Sequence, residues 1–237
     1  MNILLAQIKI SDDYNKNLNK ICSTIKNHNF DILVFPELSL TSYNLEKAIN
    51  ISNQNIFFAL NKIQTIINNK QIVIVGTLVH VNGICYNASA IISSKSIDYY
   101  YKNTLTKYDS KYFLEGGNKF IFKFKKFKIG ILICRDQDNV KLIKSYKQEK
   151  CDILIHQSAH YYKNNIALEK LDKNKAMPIV RAIDSGCLFC KVNTVGKNNK
   201  KVSLGSSLIA DKYGLVLRQA NKYTEEIIKL NTKDIKW

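Results

Sequence analysis

The 237-residue chain predicts an α/β domain in which helices pack outside sheets. Three observations predict it. Apolar, strand-like runs alternate with amphipathic helical segments along the chain. No Gly/Ser/Pro-rich linker and no internal repeat divides the sequence, so residues 1–237 read as one domain. Hydrophobic residues make up 46%, which supplies a buried core and excludes global disorder.

The elements follow in order. Residues 1–10 read as a strand. Leu18, Ile21, Cys22 and Ile25 lie at helical spacing and predict a helix over 13–27. Residues 31–35 form a short apolar run, a buried strand that Pro36 ends. A helix is predicted over 55–69 and a strand over 71–79. Residues 84–93 and 97–101 form a strand pair, turned by Ser93-Ser94-Lys95. Residues 120–124 and 128–134 form another pair. Residues 140–149 are helical, 152–156 a strand and 168–185 largely helical. Strands over 188–193, 206–210 and 215–219 close the series, with Tyr213-Gly214 turning between the last two.

The formal charge of +17 points toward anionic partners. The composition argues otherwise: 33 of the 36 basic residues are Lys, and base-specific readers rely on the bidentate fork of Arg. Abundant Lys, Asn and Ile with only two Pro suggest the coding bias of an AT-rich genome. Nucleic acid is therefore a disfavoured partner. No apolar run reaches the roughly 18 residues of a transmembrane helix, and the opening residues lack a secretory pattern, so a membrane or exported protein is disfavoured. Most of the six cysteines sit inside apolar runs and read as reduced core residues, which suits the cytoplasm. Cys187 and Cys190 have CxxC spacing, but no second ligand pair follows at zinc-site distance, so no metal is expected.

Three residues carry candidate chemistry. Glu37 follows a buried strand and Pro36, where a carboxylate can face a cleft. Cys134 ends the apolar run Ile129-Gly130-Ile131-Leu132-Ile133 and precedes a polar turn, where a thiol can be activated and backbone N–H groups can hold an oxyanion. Lys102 follows Tyr99-Tyr100-Tyr101 and can stabilise developing negative charge. Taken singly, each also fits an ordinary structural role.

Together they form a pattern. Val34-Phe35-Pro36-Glu37-Leu38-Ser39-Leu40-Thr41-Ser42-Tyr43, then Tyr101-Lys102-Asn103-Thr104-Leu105, then Gly130-Ile131-Leu132-Ile133-Cys134-Arg135-Asp136 resemble the three signature segments of the nitrilase superfamily, the carbon–nitrogen hydrolases. Leu5-Ala6-Gln7, Tyr112-Phe113 with Gly116, Arg181-Ala182-Ile183-Asp184, Asn193-Thr194-Val195-Gly196 and Gly205-Ser206-Ser207 extend the likeness over nearly the whole chain. The resemblance implies a four-layer αββα sandwich that pairs through a helix face into a homodimer or higher homo-oligomer. It implies a hydrolase of small linear amides or N-carbamoyl compounds that needs no cofactor. Cys134 would be the nucleophile and Glu37 the general base. Lys102 and the backbone N–H of Arg135 would hold the oxyanion. A Cys134–His156 pair is the rival arrangement.

The chain departs from the family pattern in places. Asp109 stands where many members carry a second Glu, with Glu115 as the other candidate for that role. Ser42 stands where Gly is frequent, and the segment after Cys134 lacks the usual aromatic-Pro pattern. Asp109, Arg135, Ser158, His160 and Tyr161 are the candidate substrate-binding residues, with Gln157 beside them. The Arg135 guanidinium would either clamp a substrate carboxylate or pair with a neighbouring Asp. Arg181 and Asp184, three apart on one helix, are expected to pair structurally. Three functions remain open: an amidase or carbamoyl hydrolase, an ammonia-supplying glutaminase for a partner, and a non-catalytic nucleic-acid binder.

Overall fold

A computed structural model of the protein describes residues 1–198 and 200–235. Its strands are β1 (Asn2–Gln7), β2 (Ile32–Val34), β3 (Ile72–Val81), β4 (Ile84–Ile92), β5 (Ile97–Tyr101), β6 (Ile121–Phe124), β7 (Phe127–Ile133), β8 (Ile153–Ser158), β9 (Tyr162–Lys163), β10 (Leu188–Asn193), β11 (Val195–Asn198), β12 (Lys201–Leu204), β13 (Leu208–Ala210), β14 (Val216–Gln219) and β15 (Glu226–Asn231). Its α-helices are α1 (Tyr14–Asn27), α2 (Leu45–Ala48), α3 (Asn53–Thr65), α4 (Val140–Gln148), α5 (Asn164–Ala167) and α6 (Glu169–Ser185).

Two six-stranded sheets form, in the orders β15-β1-β2-β3-β4-β5 and β14-β13-β10-β8-β7-β6. Each has three parallel strands at its centre, β1-β2-β3 in one and β7-β8-β10 in the other, flanked by antiparallel neighbours. Strand alternation sends every second side chain to one face. Ile3, Leu5, Ile32, Val34, Ile72 and Ile74 therefore meet Ile129, Ile131, Ile153, Ile155 and Cys190 in a core between the sheets. The opposite face of the first sheet packs on Leu18, Ile21 and Ile25 of α1 and Ile56, Leu60 and Ile63 of α3. Leu132, Leu154 and Phe189 face Ile143 and Tyr146 of α4 and Ala182 of α6. The result is the αββα sandwich.

Local chemistry sets the ends of the helices. Asp13 caps α1 by accepting from Asn15 N and Lys16 N. Ser52 caps α3, which begins at Asn53, two residues before the predicted start. Gly186 ends α6 in the left-handed region, φ +69°. Further elements differ from the sequence expectation. The first strand stops at Gln7, and β15 pairs with it antiparallel from the far end of the chain. A three-stranded sheet, β11-β12-β9, forms beside the main pair. Strand β8 runs on through Ser158 and does not end at His156. Cys187, just before β10, and Cys190 within it pack into cores on opposite sides of the sheet. None of the described helices is long and apolar enough to cross a membrane.

Candidate active site

Both central sheets release their chemistry at the ends of strands. Glu37 lies just after β2, behind Phe35-Pro36, and is fully buried. Gly76 of β3 lets that turn close: a Cβ there would lie 2.2 Å from Pro36 O and 2.4 Å from Leu38 N. Lys102 follows β5, donates its backbone N–H to Asn87 O at 2.9 Å, and accepts from Gly116 N at 2.7 Å. Cys134 follows β7 with φ +46°, a strained turn that opens a short 3₁₀ segment. Arg135 N–H lies in the first turn of that segment, where such groups have no intrahelical acceptor.

The side chains converge. Lys102 Nζ lies 2.6 Å from Glu37 Oε1 and 2.8 Å from Asp109 Oδ2. Asn87 Nδ2 donates to the same Glu37 oxygen at 2.9 Å, and Ala159 N donates to Glu37 Oε2 at 3.1 Å. Burial opposes the Lys102 charge. Glu37, then Cys134 and Asp109, outweigh it and hold the ammonium well above the usual lysine range. Burial, and then the charge of Glu37, push the Cys134 thiol well up, while Lys102 pulls it down. The arrangement is therefore a thiol beside a carboxylate with an ammonium next to both, a set chemically able to act as nucleophile, base and oxyanion donor.

Asp136 ties the Cys134 turn to the Lys102 turn. Its Oδ2 accepts from Ile133 N at 2.9 Å and Tyr100 Oη at 2.7 Å; its Oδ1 accepts from Asn103 N at 3.0 Å and Thr104 N at 2.7 Å. Burial raises its carboxyl to about 6 against these donors. It stood inside the Cys134 motif without a role; an acid two residues after the nucleophile, before a run of polar residues, was the signal available.

Cys134 opens onto a cavity of about 270 Å³. Ala159, His160, Tyr161 and Tyr162 form one wall, Tyr43 and Thr106 another, and Gln137, Asp138 and Asn174 extend it. Arg135, Lys170 and Lys173 stand at its rim. Of the expected substrate residues, Arg135, His160 and Tyr161 line this space, while Asp109 reaches the site by holding Lys102. Glu115 is exposed and takes no part. Ser158 is not on the wall. The extra length of β8 turns its hydroxyl to Val192 O at 3.0 Å, and Gln157 donates to Phe35 O at 2.6 Å. His156 Nε2 contacts the backbone carbonyl of Cys134 at 2.8 Å rather than its thiol, so the Cys–His pairing does not form. Arg135 has no carboxylate partner among the described residues, whereas Arg181 pairs with Asp184 as expected.

The family model for carbon–nitrogen hydrolases matches residues 4–233. The chain belongs to that family. It is 26% identical over 214 residues to a glutamine-dependent NAD(+) synthetase of Acinetobacter baylyi, covering 85% of this chain and 38% of that one. It is 28% identical over 198 residues to a 2-oxoglutaramate amidase of Bacillus subtilis, covering 81% and 74%. The chain spans less than half the length of the NAD(+) synthetases it matches. Its fold superposes on a glutamine-dependent NAD+ synthetase of Acinetobacter baumannii with TM-score 0.88 at 21% identity, over 98% of this chain and 46% of that one. An amidase of Nesterenkonia, from the nitrilase superfamily, superposes at 0.85 with 15% identity, over 99% and 91%. Among carbon–nitrogen hydrolases the residue before the equivalent of Tyr43 is often Gly, and Ser42 here has φ +85°. Its hydroxyl offsets that cost locally, donating to Asp12 Oδ1 and accepting from Asn44 N, each at 3.0 Å.

Proposed function

We propose that the protein hydrolyses the terminal amide of a small linear carboxylic acid through a thioester on Cys134. The observation that carries this reading is the meeting of Cys134 with the Glu37–Lys102–Asp109 cluster at the floor of one cavity. Glu37 takes the thiol proton, and Cys134 Sγ attacks the amide carbon. Lys102 and the Arg135 N–H hold the oxyanion. The C–N bond breaks, ammonia leaves with the proton from Glu37, and a thioester remains. Glu37 then deprotonates a water, which attacks the thioester and regenerates the thiol. Asp109 keeps Lys102 in place.

The rim supports a substrate that also carries a carboxylate. Arg135, Lys170 and Lys173 form no ion pair among the described residues, and only Asp138 in the lining opposes them. The two relatives named above point the same way, since glutamine and 2-oxoglutaramate are both terminal amides of carboxylic acids. A second reading, hydrolysis of glutamine to supply ammonia to a synthetase, is favoured by the likeness to the NAD(+) synthetases. Ammonia release from glutamine, 2-oxoglutaramate, a neutral amide of equal length and an N-carbamoyl amino acid tests both. The first reading expects the acid amides to lead and the neutral amide to trail by about tenfold or more, one charge-assisted contact. Glutamine leading selects the second. Equal rates with the neutral amide remove the carboxylate from the account.

A further inference from the structure

Lys191 lies in the middle of β10 and is fully buried. Its ammonium donates to Asn174 O of α6 at 2.7 Å, and no carboxylate among the described residues pairs with it. Such a residue is costly, because a buried charge is retained only with a partner or a task. The strand places it with purpose. Residues 188, 190 and 192 of β10 point into the core between the sheets, so Lys191 points to the helix side of its sheet. In register beside it on β8 stands His156, whose Nε2 holds the Cys134 carbonyl at 2.8 Å. A carbonyl only accepts, so that nitrogen carries a proton, and burial, which pulls His156 down to about 3, keeps the ring neutral. Glu37 arrives from the facing sheet. Glu37 meets the Cys134 thiol from there, while Lys191 stands one strand beyond the His156 that holds the Cys134 carbonyl.

We propose that Lys191 is a positioning residue of this site, an unpaired buried cation whose charge draws the Cys134 proton toward Glu37 by favouring the thiolate. The proposal rests on the assignment of Cys134 as nucleophile. The Glu37–Lys102–Asp109 cluster has one more carboxylate than ammonium. When the proton passes from Cys134 Sγ to Glu37 Oε, negative charge moves away from Lys102 and Glu37 and toward Lys191. The other groups that face Lys191 do not supply that cation. From β8 and the loop after it come His156 and His160, both neutral: burial, with Lys191 next, pulls His156 down to about 3 and holds His160 well below the usual range. From α6 the buried charged residue is Arg181, which is engaged with Asp184 and Gln137 O, while Lys173 stands at the cavity rim. Strand β13 offers Leu208 in register. Burial lowers the Lys191 ammonium to about 7, and the Cys134 thiolate raises it, so the two charges support each other near neutrality.

Alkylation of Cys134 by iodoacetamide, read by peptide mass over pH 6 to 9, tests this without any substrate. Lys191→Met removes the charge and keeps the length; Lys191→Gln removes the charge and keeps a donor for Asn174 O. At pH 6.5 both variants are expected to alkylate about tenfold more slowly than the wild type, the effect of roughly one pKa unit on the thiol. The gap should narrow as the pH rises and the wild-type Lys191 gives up its proton. Equal rates at pH 6.5, an offset that is the same at every pH, or recovery in Lys191→Gln alone would each overturn the proposal. A wild-type Cys134 inert to iodoacetamide would overturn both the nucleophile assignment and the proposal with it. A thermal midpoint in Lys191→Met at or above that of the wild type certifies the fold.

Discussion

Glu37 illustrates how the fold orients a carboxylate for the role of base proposed above. Its Oε1 takes two donors and its Oε2 a third, so its orientation is set before any substrate arrives. Glu37→Gln cannot take the thiol proton and would turn an amide donor toward Lys102 or Ala159 N. Lys102→Met removes the oxyanion contact, which typically costs on the order of 10²–10³ in rate. Because the groups act as a unit, the double variant should lose far less than the product of the single losses. Multiplicative losses in kcat would mean that the two side chains act independently. Lys102 also explains why Asp109 suffices where a longer acid is frequent: the turn at residues 109–111 brings its carboxylate to 2.8 Å from Nζ.

At the scale of elements, the turns after β2, β5 and β7 do the positioning, the first two through close backbone approach at Gly76 and Gly116 and the third through the positive φ of Cys134. Gly76→Ala is the sharpest test. Its Cβ would meet backbone atoms of Pro36, Glu37 and Leu38, which cannot swing aside as a flexible side chain does. The variant should lose at least tenfold in kcat, the range of displacing one catalytic group, while the far-UV circular dichroism stays native. An unchanged kcat would show that the turn has slack. The same elements show what the sequence made legible. Helices α1 and α3 and the central strands followed from period and apolar runs because their signals are local. Strand β15 was missed because the polar start Thr224-Glu225-Glu226 reads as loop, and its partner β1 lies more than 200 residues away. The β11-β12-β9 sheet was missed because its strands have only two to four residues, too few to show a period, and β9 pairs with β12 across 38 residues, Lys163 to Lys201. Ser158 was misplaced by strand length. Two more residues of β8 keep Ser158 within the strand, its hydroxyl on Val192 O, and leave Ala159 as the first residue to reach the cleft.

For the whole molecule, the catalytic cluster is a property of the sandwich. Glu37 and Lys102 leave one sheet, Cys134 leaves the other, and they meet because the Ile- and Val-rich core fixes the distance between the sheets. No spacing in the sequence states that residues 37, 102 and 134 touch; resemblance to a family supplied the grouping, and packing supplies the geometry. The basic surface belongs to another scale: Lys102 and Lys191 are buried, while the rest of the +17 charge is largely solvated. The central claim is that acyl transfer passes through Cys134. Rapid acid quench of the protein turning over its preferred amide, followed by peptide mass mapping, measures it directly. The account predicts an acyl mass on the peptide containing Cys134, absent in Cys134→Ala, which should also release no ammonia. An acyl group on any other residue, or ammonia release retained in Cys134→Ala, would contradict it.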